Sequence, residues 1–134
     1  MDLGTIRPVE RAEDARELTL YDPNTREPLG QTLMVMGYDA EAVVQAGRAH
    51  ARQVAARGKG RRDGAAVEDV VQERQAWLAA AAVADWCGAT FAGKPITADN
   101  ARTVLADPNM AWVARQITDF GGDLGNFGPR TTPA

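Results

Sequence analysis

Apolar positions recur with a period of two in two short stretches and with a helical period through most of the remaining chain. Leu18-Thr19-Leu20-Tyr21 alternates, as does Thr32-Leu33-Met34-Val35-Met36, where Leu33 and Val35 share one face. Each pattern predicts a strand with one buried side. Between them Asp22-Pro23-Asn24-Thr25 is turn chemistry, because proline presets φ and asparagine tolerates tight positions. The expectation is a β-hairpin over 17–36, which needs a helix or further strands to cover it.

Gly37-Tyr38-Asp39 then ends the strand and opens a helix over 39–57, with Asp39 as N-cap and Glu41 favourable in the first turn. Val43, Gly47, His50 and Val54 fall on one face of it, with Val44, Ala51 and Ala55 beside them. A glycine inside a helix costs about 1 kcal/mol relative to alanine, so Gly47 predicts a close packing contact. Residues 58–64 carry three glycines and read as a flexible basic linker. Beyond it Val67, Val70, Val71, Trp77, Leu78 and Ala81 keep a helical stripe to about Trp86, opposite Glu68, Asp69, Glu73 and Gln75. A turn follows around Gly93-Lys94-Pro95. Thr97 is placed to cap a short helix bearing Ala101, Val104 and Leu105, and Asp107-Pro108 is a cap followed by proline at a first helical position. The last helix presents Met110, Val113, Ile117 and Phe120. The fold class is therefore α+β: about four helices and a short N-terminal antiparallel hairpin in one domain over 17–120. Residues 1–16 read as a flexible arm in which Ile6 and Val9 are candidates to dock, and 121–134 as a flexible tail.

Composition narrows the function. The chain has 134 residues, 45% hydrophobic and 25% charged, enough for one ordinary globular domain. A single cysteine excludes an internal disulfide and fits a reducing compartment. The longest strongly apolar run, Leu78–Ala84, is far shorter than the roughly 20 residues that span a bilayer, and the first residues lack a signal-peptide pattern. Net charge is −3, which argues against nucleic acid as a bulk electrostatic partner. Charge is nevertheless uneven. Arg48, Arg52, Arg57, Lys59, Arg61 and Arg62 lie in a stretch without an acid, leaving the rest of the chain about nine charges negative. Such a stretch suits an acidic protein surface or a solvated helix end, and no aromatics interleave it to stack bases.

Candidate chemistry is sparse. His50 has no second histidine or cysteine pair at metal-ligand spacing, and reads as a packed helix histidine. Cys87 has only His50 as a conceivable base and reads as a buried, inert thiol beside Trp86. Asp85, Asp99, Asp107, Asp119 and Asp123 fall largely where helix ends and turns want a cap, without a calcium-loop pattern. The expectation is a protein that binds rather than reacts, with no catalytic, metal or cofactor site. Trp77 and Trp86 read as core, Trp112 as partly exposed, and Phe127, in a Gly-rich tail, as a partner contact.

The order of these elements resembles the tail assembly chaperones of long-tailed bacteriophages. The likeness spans about residues 17–127. It rests on Asp22-Pro23-Asn24-Thr25 and Glu27-Pro28-Leu29 in the strand pair, a helix and basic linker, and an Ala-rich helix ending Asp85-Trp86-Cys87-Gly88. The Gly93-Lys94-Pro95 turn, the Asn100-Ala101 helix, the Pro108 helix and Asn126-Phe127 complete it. The resemblance implies a non-enzymatic role in the host cytoplasm: coating the tape measure protein, keeping it soluble, and giving way as the major tail tube protein polymerises. It also implies self-association, absence from the finished virion, and no nucleic-acid or membrane partner. One departure is that Gly121-Gly122-Asp123-Leu124-Gly125 separates the last helix from Asn126-Phe127. The rival classes are a virion structural component, such as a head–tail connector or tail-completion protein, and a small enzyme or nucleic-acid regulator. A client-binding role needs an apolar groove between helices or a free strand edge on the hairpin.

Overall fold

The computed structural model describes residues 1–57 and 64–128. Its elements run α1 (Pro8–Ala12), β1 (Arg16–Tyr21), β2 (Pro28–Val35), α2 (Glu41–Ala56), α3 (Gly64–Ala82) and β3 (Val83–Asp85). β4 (Thr90–Phe91), β5 (Lys94–Pro95), α4 (Ala101–Ala106) and α5 (Ala111–Gly121) follow. The architecture is α+β, with a small antiparallel sheet packed against helices.

β1 and β2 pair as their alternation predicts, with Leu18 opposite Leu33. Leu18, Leu20, Leu33 and Val35 point into the core. The ladder then slips: Thr19 pairs with Thr32 but Tyr21 with Pro28, so two steps along β1 match four along β2. Gly30 absorbs the extra length at φ 78°, a left-handed conformation that glycine adopts without penalty.

The Ala-rich helix stops at Ala82, short of the Trp86 expected from its apolar stripe, because the next residues find a strand partner. Val83–Asp85 form β3, pairing antiparallel with the free side of β2, and the Met36 N–H donates to the Ala82 carbonyl at 2.7 Å. The sheet order is therefore β1-β2-β3. The buried face of α3 also differs from the expected stripe. Ala76, Ala79 and Ala82 are fully buried, while Val71 is 60% exposed. The small residues let α2, α4 and α5 all approach one helix, and a valine stripe would hold them apart.

Two caps come from elsewhere than expected. The N-cap of α2 is Ala40, and Glu13 from the N-terminal segment supplies the acceptor, its Oε1 taking the Glu41 N–H at 2.8 Å. At α4 the side chain of Asn100, not Thr97, organises the entry: its Oδ1 accepts from the Thr97 N–H at 2.8 Å and its Nδ2 donates to the Pro95 carbonyl at 3.0 Å. Asp107 behaves as its sequence predicts, accepting from the Asn109 N–H at 2.8 Å ahead of α5.

The packed body extends beyond 17–120 at both ends. Ala12 is buried, and its carbonyl accepts from the Gly37 N–H at 2.9 Å. Residues Leu124–Phe127 form a 3₁₀ turn that carries Phe127 back against α5, its ring edge-on to Phe120 at 5.6 Å. The outer part of the arm stays outside, with Leu3 74%, Ile6 44% and Val9 51% exposed.

Candidate functional site

The basic stretch divides once folded. Arg48 and Arg52 are exposed on α2. Arg57, at the end of the same helix, forks onto the Glu73 carboxylate of α3 through Nη1 at 3.1 Å and Nη2 at 2.7 Å. Its charge thus serves the α2–α3 contact as well as the surface, where the side chain stays 46% exposed. Lys59, Arg61 and Arg62 lie outside the described residues.

Glu73 also accepts from His50, whose Nε2 lies 3.0 Å from Oε1. The Arg57 fork, foremost, holds the Glu73 carboxyl below the usual carboxylate range. It is therefore ionised at neutral pH and can only accept, which places the imidazole proton on Nε2. His50 is 2% exposed and packs edge-on to Trp77 at 5.2 Å, and the Arg102 guanidinium covers that indole at 3.9 Å. His50 is thus a packed histidine in a clasp joining α2, α3 and α4.

On another side of the same helix pair the surface is open. α2 rests chiefly on α3, burying Val43, Ala46, Gly47 and His50 and leaving Val44, Ala51 and Ala55 exposed. Between the helices runs a groove of about 440 Å³, floored by Val43, Val44, Ala51 and Leu78 and closed at one end by Tyr38. Arg48 of α2 and Arg74 of α3 line it from opposite helices, and among the described residues no carboxylate does. Gly47 makes this shape possible. A β-carbon there would stand 3.2 Å from Arg74 Nη2 and 3.4 Å from Leu78 Cδ2, and its bare carbonyl accepts from Arg74 Nη1 at 3.3 Å. The close contact expected at Gly47 is therefore with Arg74 and Leu78. Sequence reasoning missed both as groove residues; their four-residue spacing off the alanine face was the available signal.

The hairpin edge, in contrast, is occupied. β1 lies at the margin of the sheet, yet Gln116 of α5 takes the place of a neighbouring strand at Tyr21. Its Oε1 accepts from the Tyr21 N–H at 3.1 Å and its Nε2 donates to the Tyr21 carbonyl at 2.9 Å. At the other end of β1, Arg16 Nη2 donates to the Gly128 carbonyl at 2.9 Å. The Gln116 pair blocks strand addition at Tyr21.

Tyr38 is held between these regions. Burial chiefly pushes its hydroxyl up to about 12, against the lowering effect of its hydrogen bond with Thr118. Trp112 is half-buried against the core. Phe127 is 2% exposed, so the partner contact expected of it is corrected: the intervening Gly121–Gly125 segment lets the chain turn back and use the ring as core. Trp86 is core as expected, whereas Cys87 is exposed at φ 52°, not buried beside it. Its N–H donates to Asp85 Oδ1 at 2.8 Å in a tight turn.

Two further hollows exist. A shallow one of about 370 Å³ on the hairpin is lined by Thr19, Tyr21, Arg26 and Pro28. Another of about 250 Å³, across α3 from the groove, includes Asp69, Asp107 and the already bonded Glu73. Among the described residues no group of three or more His, Cys, Asp and Glu side chains is placed to hold a metal ion. No described helix is long and apolar enough to cross a membrane. Comparison with models of protein families, with curated proteins and with solved structures finds no match to this chain.

Proposed function

We propose that this chain is a bacteriophage tail assembly chaperone that binds the tape measure protein through the α2–α3 groove. The observation that carries the reading is that groove. A long amphipathic helix without its final partners exposes an apolar stripe, and an apolar channel between two helices is the surface that covers such a stripe. Here the channel is open, lined by Val43, Val44, Ala51 and Leu78, while the competing strand edge is bridged at Tyr21 by Gln116. In this role the chain performs no catalysis, acts in the host cytoplasm, and self-associates so that many copies line one client. It leaves as the major tail tube protein polymerises.

Co-expression of the chain with fragments of the neighbouring tape measure protein, followed by light scattering, tests the reading. A soluble complex with several copies per client is the expected result. Precipitated fragments and a chain that elutes alone would overturn it, and recovery of the protein in purified particles would assign it to the virion.

A further inference from the structure

The groove combines an apolar floor with a rim of one charge sign. Arg48 and Arg74 stand on opposite helices, and among the described residues neither has a carboxylate within 4.0 Å, whereas Arg57 on α2 is paired to Glu73 at 2.7 Å. Arg74 also has donors available. It lies across the bare backbone of Gly47 and donates one hydrogen bond to that carbonyl at 3.3 Å, its other donors having no hydrogen-bond acceptor among the described residues. A guanidinium with donors to spare at the groove margin can take a carboxylate through two parallel hydrogen bonds. The rest of the molecule carries excess negative charge, with a chain total of −3, so an acidic segment is repelled elsewhere and focused here. Among the described residues no aromatic ring other than that of Tyr38 lines the groove, and the Tyr38 hydroxyl is engaged by Thr118 at 3.0 Å; an apolar floor without a stacking platform suits a peptide over a nucleic acid.

We infer that the α2–α3 groove selects an amphipathic helical segment whose apolar stripe is flanked by glutamate or aspartate, with Arg48 and Arg74 each taking a carboxylate. This specifies the partner chemistry of the site proposed above and rests on that reading for the client's identity only.

The test uses the full chain and two synthetic helical peptides with the same apolar stripe, one flanked by glutamates and one by lysines. Fluorescence anisotropy at low and high salt is the readout. The glutamate peptide is expected to bind at least about tenfold more tightly, with the advantage shrinking as salt rises. The double variant Arg48→Glu with Arg74→Glu is expected to reverse the preference. Both side chains are exposed, and unchanged circular dichroism and melting confirm that the variant folds. Should it not fold, perturbation of the Val43, Val44 and Leu78 methyl resonances by the glutamate peptide, and not by the lysine peptide, decides the matter in the unaltered protein. Equal affinities for the two peptides, or a double variant with an unchanged preference, would overturn the inference. So would displacement of the glutamate peptide by single-stranded nucleic acid at equal concentration. The two proposals fail separately. Tape measure fragments held regardless of Arg48 and Arg74 would leave the chaperone reading and remove this one. Glutamate-peptide binding without fragment binding would do the reverse.

Discussion

Gly121 at the end of α5 and Gly47 in the middle of α2 both lie beneath a side chain from another element, yet the two sites differ in what that side chain can do. A β-carbon on Gly121 would fall 2.6 Å from Tyr38 Cδ1 and 2.8 Å from Cε1. The Tyr38 ring cannot yield, because its backbone N–H donates to the Gly121 carbonyl at 2.8 Å and its hydroxyl is tied to Thr118. Close by, Gly37 packs against Ala12 and Phe127, so this joint gathers both ends of the described chain around two glycines. At Gly47 the neighbour is the far end of an arginine, which can swing into solvent. The joint uses absent side chains to lock elements together, and the groove uses one to leave room. Rigidity is concentrated at the joint, and access at the groove.

The comparison is most directly broken at Phe127. Phe127→Ala removes a ring that is 2% exposed and is expected to destabilise the fold by about 3–5 kcal/mol in urea unfolding. A loss below about 1 kcal/mol would return Phe127 to the surface role read from its sequence. Gly121→Ala comes next, at about 1–3 kcal/mol from overpacking against Tyr38, despite the helix propensity that alanine adds.

Glu73→Gln probes the clasp beneath the groove. Because the Glu73 carboxyl is held below its ordinary value of 4.5, chiefly by Arg57, its ionised form contributes stability above that value. That contribution is lost as pH falls through its lower folded value. The variant is expected to be less stable by about 1 kcal/mol or less near neutrality, since the pair is largely solvated. The difference should vanish once the solution is acid enough to protonate Glu73 in the folded protein. A pH series of melting curves reads this, and a gap that widens on acidification would contradict the clasp.

Gly47→Ala sharpens the contrast with Gly121. Gain of helix propensity and displacement of Arg74 oppose each other, so stability should stay within about 1 kcal/mol of the parent. Affinity for the glutamate-flanked peptide should nonetheless fall, because Arg74 loses its seat on the Gly47 carbonyl. If Gly47→Ala destabilises as much as Gly121→Ala, the two sites are alike and the groove is not an adaptable surface.

Local pattern was sufficient for β1 and β2, for the buried face of α2 and for the stripe of α5. Leu18, Leu20, Leu33 and Val35 are buried as alternation requires, and Val113 and Ile117 as helical spacing requires. These faces were legible because periodicity reports burial directly. The site was legible only in half: Arg48, Val44 and Ala51 were visible on α2, but the opposing Arg74 and Leu78 looked like ordinary helix residues. A groove is a relation between two helices, and neither helix alone records the other's rotation.

The sequence by itself determined an α+β domain, its hairpin, its principal helices and the uneven distribution of its positive charge. Tertiary structure decided where α3 yields to β3, because an open edge of β2 competes there for the backbone of Val83–Asp85. It also decided that Glu13 caps α2, that Gln116 bridges the sheet edge at Tyr21, and that Phe127 is core. Each outcome depends on a partner many residues away in the chain, and the free energy of such contacts is set by packing and hydrogen-bond satisfaction rather than by local propensity.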